Sequence, residues 1–207
     1  MKPPKRHAGR VRKGASPASG EKRAGEKVFE VAADLFYRES IRSVGVETLV
    51  KEAGISKISL YRNFASKDDL IVAYLENRNA DYWRKVDGIV AKQDRPRARL
   101  HALIDYVCGR TTTPGYRGCP FINYAAEFPD PSHPGHRIVE ENKREMRRRL
   151  VDLAKAIGAR RPAQLADALF LLIEGAYASS QTLGGRSGPA ANLTWATDAL
   201  VDAHASR

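Results

Sequence analysis

Residues 46–63 read VETLVKEAGISKISLYRN, two short helical patterns that meet at a glycine. The apolar residues of the first pattern have the i, i+3, i+4, i+7 spacing that gives a helix one buried face: Val46, Leu49, Val50 and Ala53. Gly54 suits the left-handed conformation that ends a helix, and Ser56 is a preferred N-cap for the next one. The stretch therefore predicts two helices joined by a tight turn, which is a helix-turn-helix.

The second of these helices has an apolar side and a polar side. Leu60 and Phe64 are four residues apart, so they share one face and pack inward with Ile55. The outward positions suit a DNA duplex: Lys57, Tyr61 and Lys67 for phosphates, Ser59, Arg62 and Asn63 for base edges, and Ile58 for a thymine methyl group. The alternative interpretation is a charged surface helix in an ordinary helical bundle.

Basic charge is concentrated at the N-terminus. The formal net charge is +11, and residues 1–25 hold eight Lys or Arg and one Glu, which is +7 of that total. Such a cluster favours a polyanionic partner, because Lys and Arg that neutralise phosphates release condensed counterions. The alternative is a solvated tail without a partner. Residues 1–20 also lack large apolar side chains, which predicts a disordered basic arm.

Composition and cysteine content predict a soluble, cytoplasmic protein. Hydrophobic residues make up 43% of the chain, but no apolar run approaches the roughly 18 residues that a membrane span needs. The basic N-terminus is not followed by an apolar stretch, so it does not resemble a secretory signal. Cys108 and Cys119 are too few for a disulfide framework.

Helical periodicity continues to the C-terminus, so the predicted fold class is all-α. We expect a helix-turn-helix domain of three helices at residues 21–68, followed by a larger helical domain for ligand binding and dimerisation at residues 69–207. Ser66 and Asp69 predict a capped helix that runs to about Ala91. The last two helices are separated by the glycine-rich residues 184–188.

Residues 36–70, FYRESIRSVGVETLVKEAGISKISLYRNFASKDDL, resemble the signature of TetR family regulators. The strongest matches are Glu52-Ala-Gly-Ile-Ser-Lys57, Leu60-Tyr61, Phe64 and Ser66-Lys67. The resemblance covers about a fifth of the chain. It implies an all-helical homodimer that binds a palindromic operator in double-stranded DNA, usually as a repressor, and is released by a small-molecule effector.

The resemblance also assigns roles by position. Lys57 and Tyr61 match family positions that contact phosphate, whereas Ile58, Ser59, Arg62 and Asn63 lie on the recognition helix. Ser56 lies in the turn, and Thr48 lies on the supporting helix near the DNA backbone. The chain departs from the family in two places: it has Ser40 where members often have Gly, and Val44-Gly45 where they often have Thr. Glycine is a weaker helix cap, and its missing hydroxyl removes one phosphate contact.

In the family the C-terminal helices form a ligand cavity and a two-fold interface. The aromatic and polar segment around residues 119–128 predicts pocket residues together with three other aromatics: Phe121, Asn123, Tyr124, Glu127, Phe128, Trp83, Tyr106 and Tyr177. Ordinary core packing is the alternative for most of them. The predicted dimer seam comprises Leu169, Ile173, Ala176, Leu193 and Leu200, for which the alternative is the protomer's own core.

Other functions have weaker support in the sequence. Cysteine and histidine are residue types that bind zinc, and the chain has Cys119, His133 and His136. Both histidines, however, lie in a Pro-Gly loop where they need no metal. We therefore predict no metal and no cofactor, and no enzyme motif such as GxSxG, HExxH or a P-loop occurs. Two alternatives remain, namely an architectural DNA-binding protein without an effector and a helical enzyme that merely contains the motif.

Overall fold

A computed structural model describes residues 19–204, with side chains from Arg23 onward. The predicted basic arm lies almost wholly outside the described residues. The regular elements of the described residues are all helical, which confirms the all-α prediction: α1 Ser19–Arg38, α2 Val46–Ala53, α3 Lys57–Asn63, α4 Lys67–Val90, α5 Pro96–Thr111, α6 Pro120–Glu127, α7 Gly135–Ile157, α8 Pro162–Leu183, a 3₁₀ turn Pro189–Asn192 and α9 Leu193–His204.

The first three helices share one apolar core. It is built from side chains that are almost completely buried: Val28, Ala32, Leu35, Phe36, Leu49, Ala53 and Leu60. Gly25 permits a close approach of α1 to α3, because a Cβ placed there would lie 2.4 Å from Oδ1 of Asn63. This packing confirms the helix-turn-helix and fixes the angle at which α3 projects.

The long helix α4 connects this unit to the rest of the chain. Ser66 caps it as predicted, since its Oγ accepts from the backbone N–H of Asp69 at 3.0 Å. The N-terminal half of α4 buries Leu70, Tyr74 and Leu75, and the helix packs on α1, α5 and α7. It therefore crosses the predicted domain boundary at residue 68 and belongs to both cores.

The C-terminal unit consists of α5, α7, α8 and α9 together with α4, which packs against α5 and α7. Helices α7 and α8 lie against each other and α9 covers α8. The core contains Leu100, Ile104, Leu150, Leu165 and Ile173, each essentially inaccessible to solvent. The short helix α6 contacts α4 and α7, which places it between the C-terminal unit and the loop that follows α1.

Candidate DNA-binding surface and ligand cavity

The turn between α2 and α3 has the geometry that its sequence predicts. Gly54 adopts φ +59° and ψ +42°, in the left-handed region, and its N–H donates to Lys51 O at 3.1 Å. Ser56 precedes α3 in an extended conformation, and its Oγ accepts from the N–H of Ser59 at 3.1 Å. The two caps satisfy backbone groups at both helix ends and hold the α2–α3 angle.

Helix α3 presents a polar face with one apolar side chain in it. Leu60 is completely buried beneath the helix, whereas Ile58 is 67% exposed and Tyr61 is 43% exposed. Lys57 and Arg62 are also exposed. An isoleucine this exposed next to two cations suits a surface that contacts base edges and phosphates together.

The contacts of Lys57 and Asn63 pre-position this face. Lys57 Nζ lies 2.5 Å from Oε1 of Glu47 on α2, and this hydrogen bond raises the pKa of the lysine. Asn63 Nδ2 donates to the carbonyl of Ser59 at 2.8 Å. Thr48 is exposed on α2, and Gly45 before that helix makes no side-chain cap bond. The loss of a phosphate contact at this position stays a prediction.

Lys67 is placed differently from the other predicted DNA contacts. Its Nζ donates to the carbonyl of Ile41 at 2.6 Å and lies 5.9 Å from the centre of the Phe36 ring. Burial lowers the pKa of this ammonium group. The side chain thus ties α4 to the loop after α1, and its contact with DNA stays a prediction.

A cavity of about 330 Å³ lies among α1, α4, α5, α6, α7 and α8. Its volume is near the lower end of the range for small-molecule sites. Three predicted pocket residues line it, namely Tyr106, Phe121 and Tyr177. The wall also contains residues that sequence reasoning missed: Tyr37, Arg78, Asp81, Tyr82, Lys85, Arg110, Tyr116, Cys119, Asn142, Lys143, Met146 and Glu174.

The other five predicted pocket residues lie outside this cavity. Trp83 packs under the guanidinium of Arg149, 4.2 Å from its ring centre, on the outer side of α4. Tyr124 and Phe128 stack on each other at 4.8 Å, further along α6 than Phe121. The last two, Asn123 and Glu127, line a separate shallow depression. Their helical phase directs these side chains away from the cavity.

Side chains from α1 and α4 connect the cavity to the helix-turn-helix. Tyr37 of α1 lines the cavity and donates its hydroxyl to the carbonyl of Gly118 at 3.1 Å. Arg78 of α4 also lines it, and its Nη2 donates to the carbonyl of Ala33 on α1 at 3.0 Å. A molecule in the cavity would therefore contact groups that hold α1 in place.

Glu127 forms a second connection at the end of α6. Its Oε2 accepts from Ser40 Oγ at 2.8 Å and from the N–H of Arg42 at 2.9 Å. Arg42 returns a bond from Nη1 to the Glu127 carbonyl at 3.1 Å. The serine that replaces the family's usual glycine thus ties the loop before α2 to the helix whose first residues line the cavity.

The side chains that were considered as zinc ligands make other contacts. His133 Nδ1 lies 2.6 Å from the Tyr124 hydroxyl, and His136 Nε2 lies 2.6 Å from the Phe128 carbonyl. Cys119 is buried in the cavity wall, 3.7 Å from Lys143 Nζ. Residues 19–204 contain no group of three His, Cys, Asp or Glu that is arranged to hold a metal ion.

Comparison with known proteins assigns both parts of the chain. The sequence profile of bacterial regulatory proteins of the tetR family matches residues 28–74, and the profile of tetracyclin repressor-like C-terminal domains matches residues 96–194. A solved structure from Streptomyces avermitilis, described as a TetR transcriptional regulator, is 32% identical, with a TM-score of 0.74. That similarity covers 87% of this chain and 97% of the other. The chain belongs to the TetR family.

Two further relatives agree with this assignment. A TetR-family transcriptional regulator from Streptomyces coelicolor has a TM-score of 0.85 and 26% identity, over 89% of this chain and 97% of its own. The HTH-type transcriptional repressor KstR2 of Rhodococcus jostii is 32% identical over 90 residues, and this match spans only 44% of either chain. The protein is thus a TetR-family transcriptional regulator with a DNA-binding helix-turn-helix, from a family of regulators rather than enzymes.

The predicted dimer residues of this TetR-family chain need correction. Leu169, Ile173, Ala176 and Leu193 are buried in the protomer's own core, and Leu200 is half-buried. The opposite face of α8 and α9 instead exposes Leu171 by 70% and Trp195 by 73%. The spacing of apolar residues did not distinguish the buried face of α8 from the exposed one, because both faces contain apolar residues. No helix of the described residues is long and apolar enough to cross a membrane.

Proposed function

We propose that this TetR-family regulator is a homodimeric repressor that binds a near-palindromic operator and releases it when a small molecule fills the cavity. The DNA-binding part of this proposal rests on the exposed face of α3. Lys57, Ile58 and Tyr61 project from a helix whose buried side is anchored by Leu60. In helix-turn-helix dimers, two such helices enter major grooves about 34 Å apart, which requires a two-fold symmetric operator.

The exposed apolar face on α8 and α9 supports the dimer. Leu171 and Trp195 lie on it with the small residues Gly175, Ala178 and Ala199, all of them exposed. Large exposed apolar side chains beside small ones suit close helix packing against a second copy of the same face. A four-helix seam of this kind would set the distance between the two α3 helices.

The links between the cavity and α1 support control by an effector. Tyr37 and Arg78 line the cavity and also hold α1 or the segment before α6. Glu127 holds the loop before α2. A ligand that changes the position of these side chains would change the spacing of the α3 helices, and its effect equals its differential affinity for the two states. An architectural protein without an effector has no use for such a cavity.

The dimer is tested with two matched substitutions, each of which replaces an exposed apolar side chain with a carboxylate. Leu171→Glu should give a monomer in sedimentation velocity and should lose operator binding, because one protomer retains only half of the contacts. Ile58→Glu should remain a dimer and lose operator binding through repulsion from the phosphates. The proposal is contradicted if the wild-type protein is monomeric at micromolar concentration, or if Leu171→Glu stays dimeric.

A further inference from the structure

The side chains of the cavity wall include more positively charged groups than negatively charged ones. Lys85 Nζ pairs with Asp81 at 2.7 Å, and Lys143 Nζ pairs with Glu174 at 2.7 Å, so these four charges cancel. Two guanidinium groups of the wall, those of Arg78 and Arg110, have no carboxylate of residues 19–204 within ion-pairing distance. The described wall of the cavity therefore has an excess of two positive charges.

The two guanidinium groups differ in how they are held. Arg78 donates to the Ala33 carbonyl and lies against the rings of Tyr37 and Tyr74, 5.4 and 5.2 Å from their centres. Arg110 lies near the Tyr106 hydroxyl and forms no ion pair with a carboxylate of the described residues. A half-buried cation without a counterion costs free energy, which a bound anion would recover.

Three tyrosine hydroxyls add donors to the same wall. The hydroxyls of Tyr82, Tyr106 and Tyr177 are buried, and none makes a hydrogen bond of good geometry within the described residues, although Tyr82 lies near Tyr177 and Tyr106 lies near Arg110. Tyr82 and Tyr177 are near neighbours, and burial raises the pKa of both. Their protons are therefore retained at neutral pH and remain available to an acceptor. Buried donors without partners are rare in folded proteins and call for an explanation.

The remainder of the wall is apolar. It consists of the side chains of Phe121 and Met146, prolines 114 and 120, and the faces of the tyrosine rings. The cavity thus combines two guanidinium groups and several O–H donors with surfaces that favour a hydrocarbon or aromatic body. Arg78 is already bound to a backbone carbonyl, so Arg110 is the more available partner for a negatively charged acceptor group.

We infer that the effector is a small monocarboxylate with an apolar or aromatic body, and that its carboxylate pairs with Arg110. This inference rests on the proposed function, because it names the ligand class of the same cavity. A carboxylate accepts two parallel hydrogen bonds from a guanidinium, and its remaining lone pairs accept from tyrosine hydroxyls. A phosphate monoester matches less well, because its second charge would need Arg78, whose Nη2 is already bound to the Ala33 carbonyl.

The test measures binding of defined probes to the full chain by isothermal titration calorimetry. The probes are benzoate, 3-phenylpropanoate and octanoate, the primary amide of each, and phenyl phosphate. We expect at least one carboxylate to bind, and to bind at least about tenfold more tightly than its amide, since a hydrogen bond to a charged group is worth this much or more. Phenyl phosphate should bind more weakly than that carboxylate.

Two substitutions and one matched control locate the carboxylate. Arg110→Met should abolish the preference for carboxylate over amide, whereas Arg99→Met, which removes an exposed charge from the same helix, should retain it. Arg110 has no ion pair to lose, so its variant should fold, as circular dichroism will check. Tyr177→Phe deletes a hydroxyl that makes no hydrogen bond of good geometry, so it should weaken carboxylate binding without lowering the melting temperature.

Four outcomes would overturn the inference: no carboxylate of the series binds, the amides bind equally well, phenyl phosphate binds best, or Arg110→Met keeps the preference. Operator titration separates this inference from the proposed function. A carboxylate that binds without changing operator affinity would contradict effector release and leave the ligand class intact. A neutral compound that fills the cavity and releases the operator would contradict the ligand class alone.

Discussion

Arg62→Ala is expected to lower operator affinity by at least about 30-fold and to relax the base preference at one position of each half-site. Arg62 is exposed on α3, in the outward set that we propose to face a major groove. Losing an arginine contact to a base edge costs about 1–3 kcal/mol. A dimer loses that contact twice, so the total is about 2–6 kcal/mol. Fluorescence anisotropy with labelled operator at fixed salt measures the loss.

A matched control distinguishes the loss of a base contact from the loss of one positive charge. Arg144→Ala removes one positive charge from the exposed surface of α7, where Arg144 pairs with Glu140 at 2.6 Å. Operator affinity should stay within about twofold of wild type, because this helix lies in the C-terminal unit and exposed i,i+4 pairs contribute little. Equal losses in both variants would mean that Arg62 acts only through net charge. An unchanged Arg62→Ala variant would remove it from the recognition surface.

Leu60→Ala and Ile58→Ala should have opposite effects, although the residues are two positions apart on α3. Leu60 is fully buried, so its truncation should lower the free energy of unfolding by about 2–5 kcal/mol. Ile58 is 67% exposed, so its truncation should change stability by no more than about 0.5 kcal/mol while weakening operator binding. Urea denaturation followed by circular dichroism, with anisotropy on the same samples, measures both quantities.

This pair tests the orientation of α3 independently of any operator sequence. If Ile58→Ala destabilised the protein as much as Leu60→Ala, α3 would have to be rotated so that Ile58 is buried. If Ile58→Ala bound the operator like wild type, the exposed isoleucine would not contact DNA. Either result would move the recognition face to another side of α3.

The helix-turn-helix was predictable because its signals are local. Gly54, Ser56 and Ser66 each act through backbone atoms within three or four residues, and the structure shows the expected left-handed glycine and both serine caps. The inward position of Leu60 followed from the helical period. The helix-turn-helix domain was predicted to begin at residue 21, whereas α1 begins at Ser19. Helix ends depend on weak capping preferences, so they are less determined than the turn between two helices.

The cavity was harder to predict because six helices surround it. Phe121 was expected and lines it, but Tyr82 lines it while its predicted neighbour Trp83 faces outward. Consecutive residues on a helix point about 100° apart, so the choice between them depends on the packing of α4 against α5 and α7. Arg110 gave no sequence signal, because a lone arginine at a helix end is usually solvated.

Glu127 and the dimer face show the same dependence on tertiary contacts. Glu127 was predicted as a pocket residue, yet it accepts a bond from Ser40, 87 positions away in sequence. The α8 residues Leu169 and Ile173 were predicted for the dimer but are buried, while Leu171 between them is exposed. Apolar spacing identifies a buried stripe without indicating whether the protomer or its partner covers it.

Selection of bound sequences from random duplex DNA by the full chain tests the central claim that α3 of a two-fold dimer reads an operator. We expect enrichment of one inverted repeat whose half-sites are separated by about one helical turn or a multiple of it. Selection with Arg62→Ala should lose base preference at one matched position in each half. Enrichment of no sequence, or of a site without two-fold symmetry, would contradict the account.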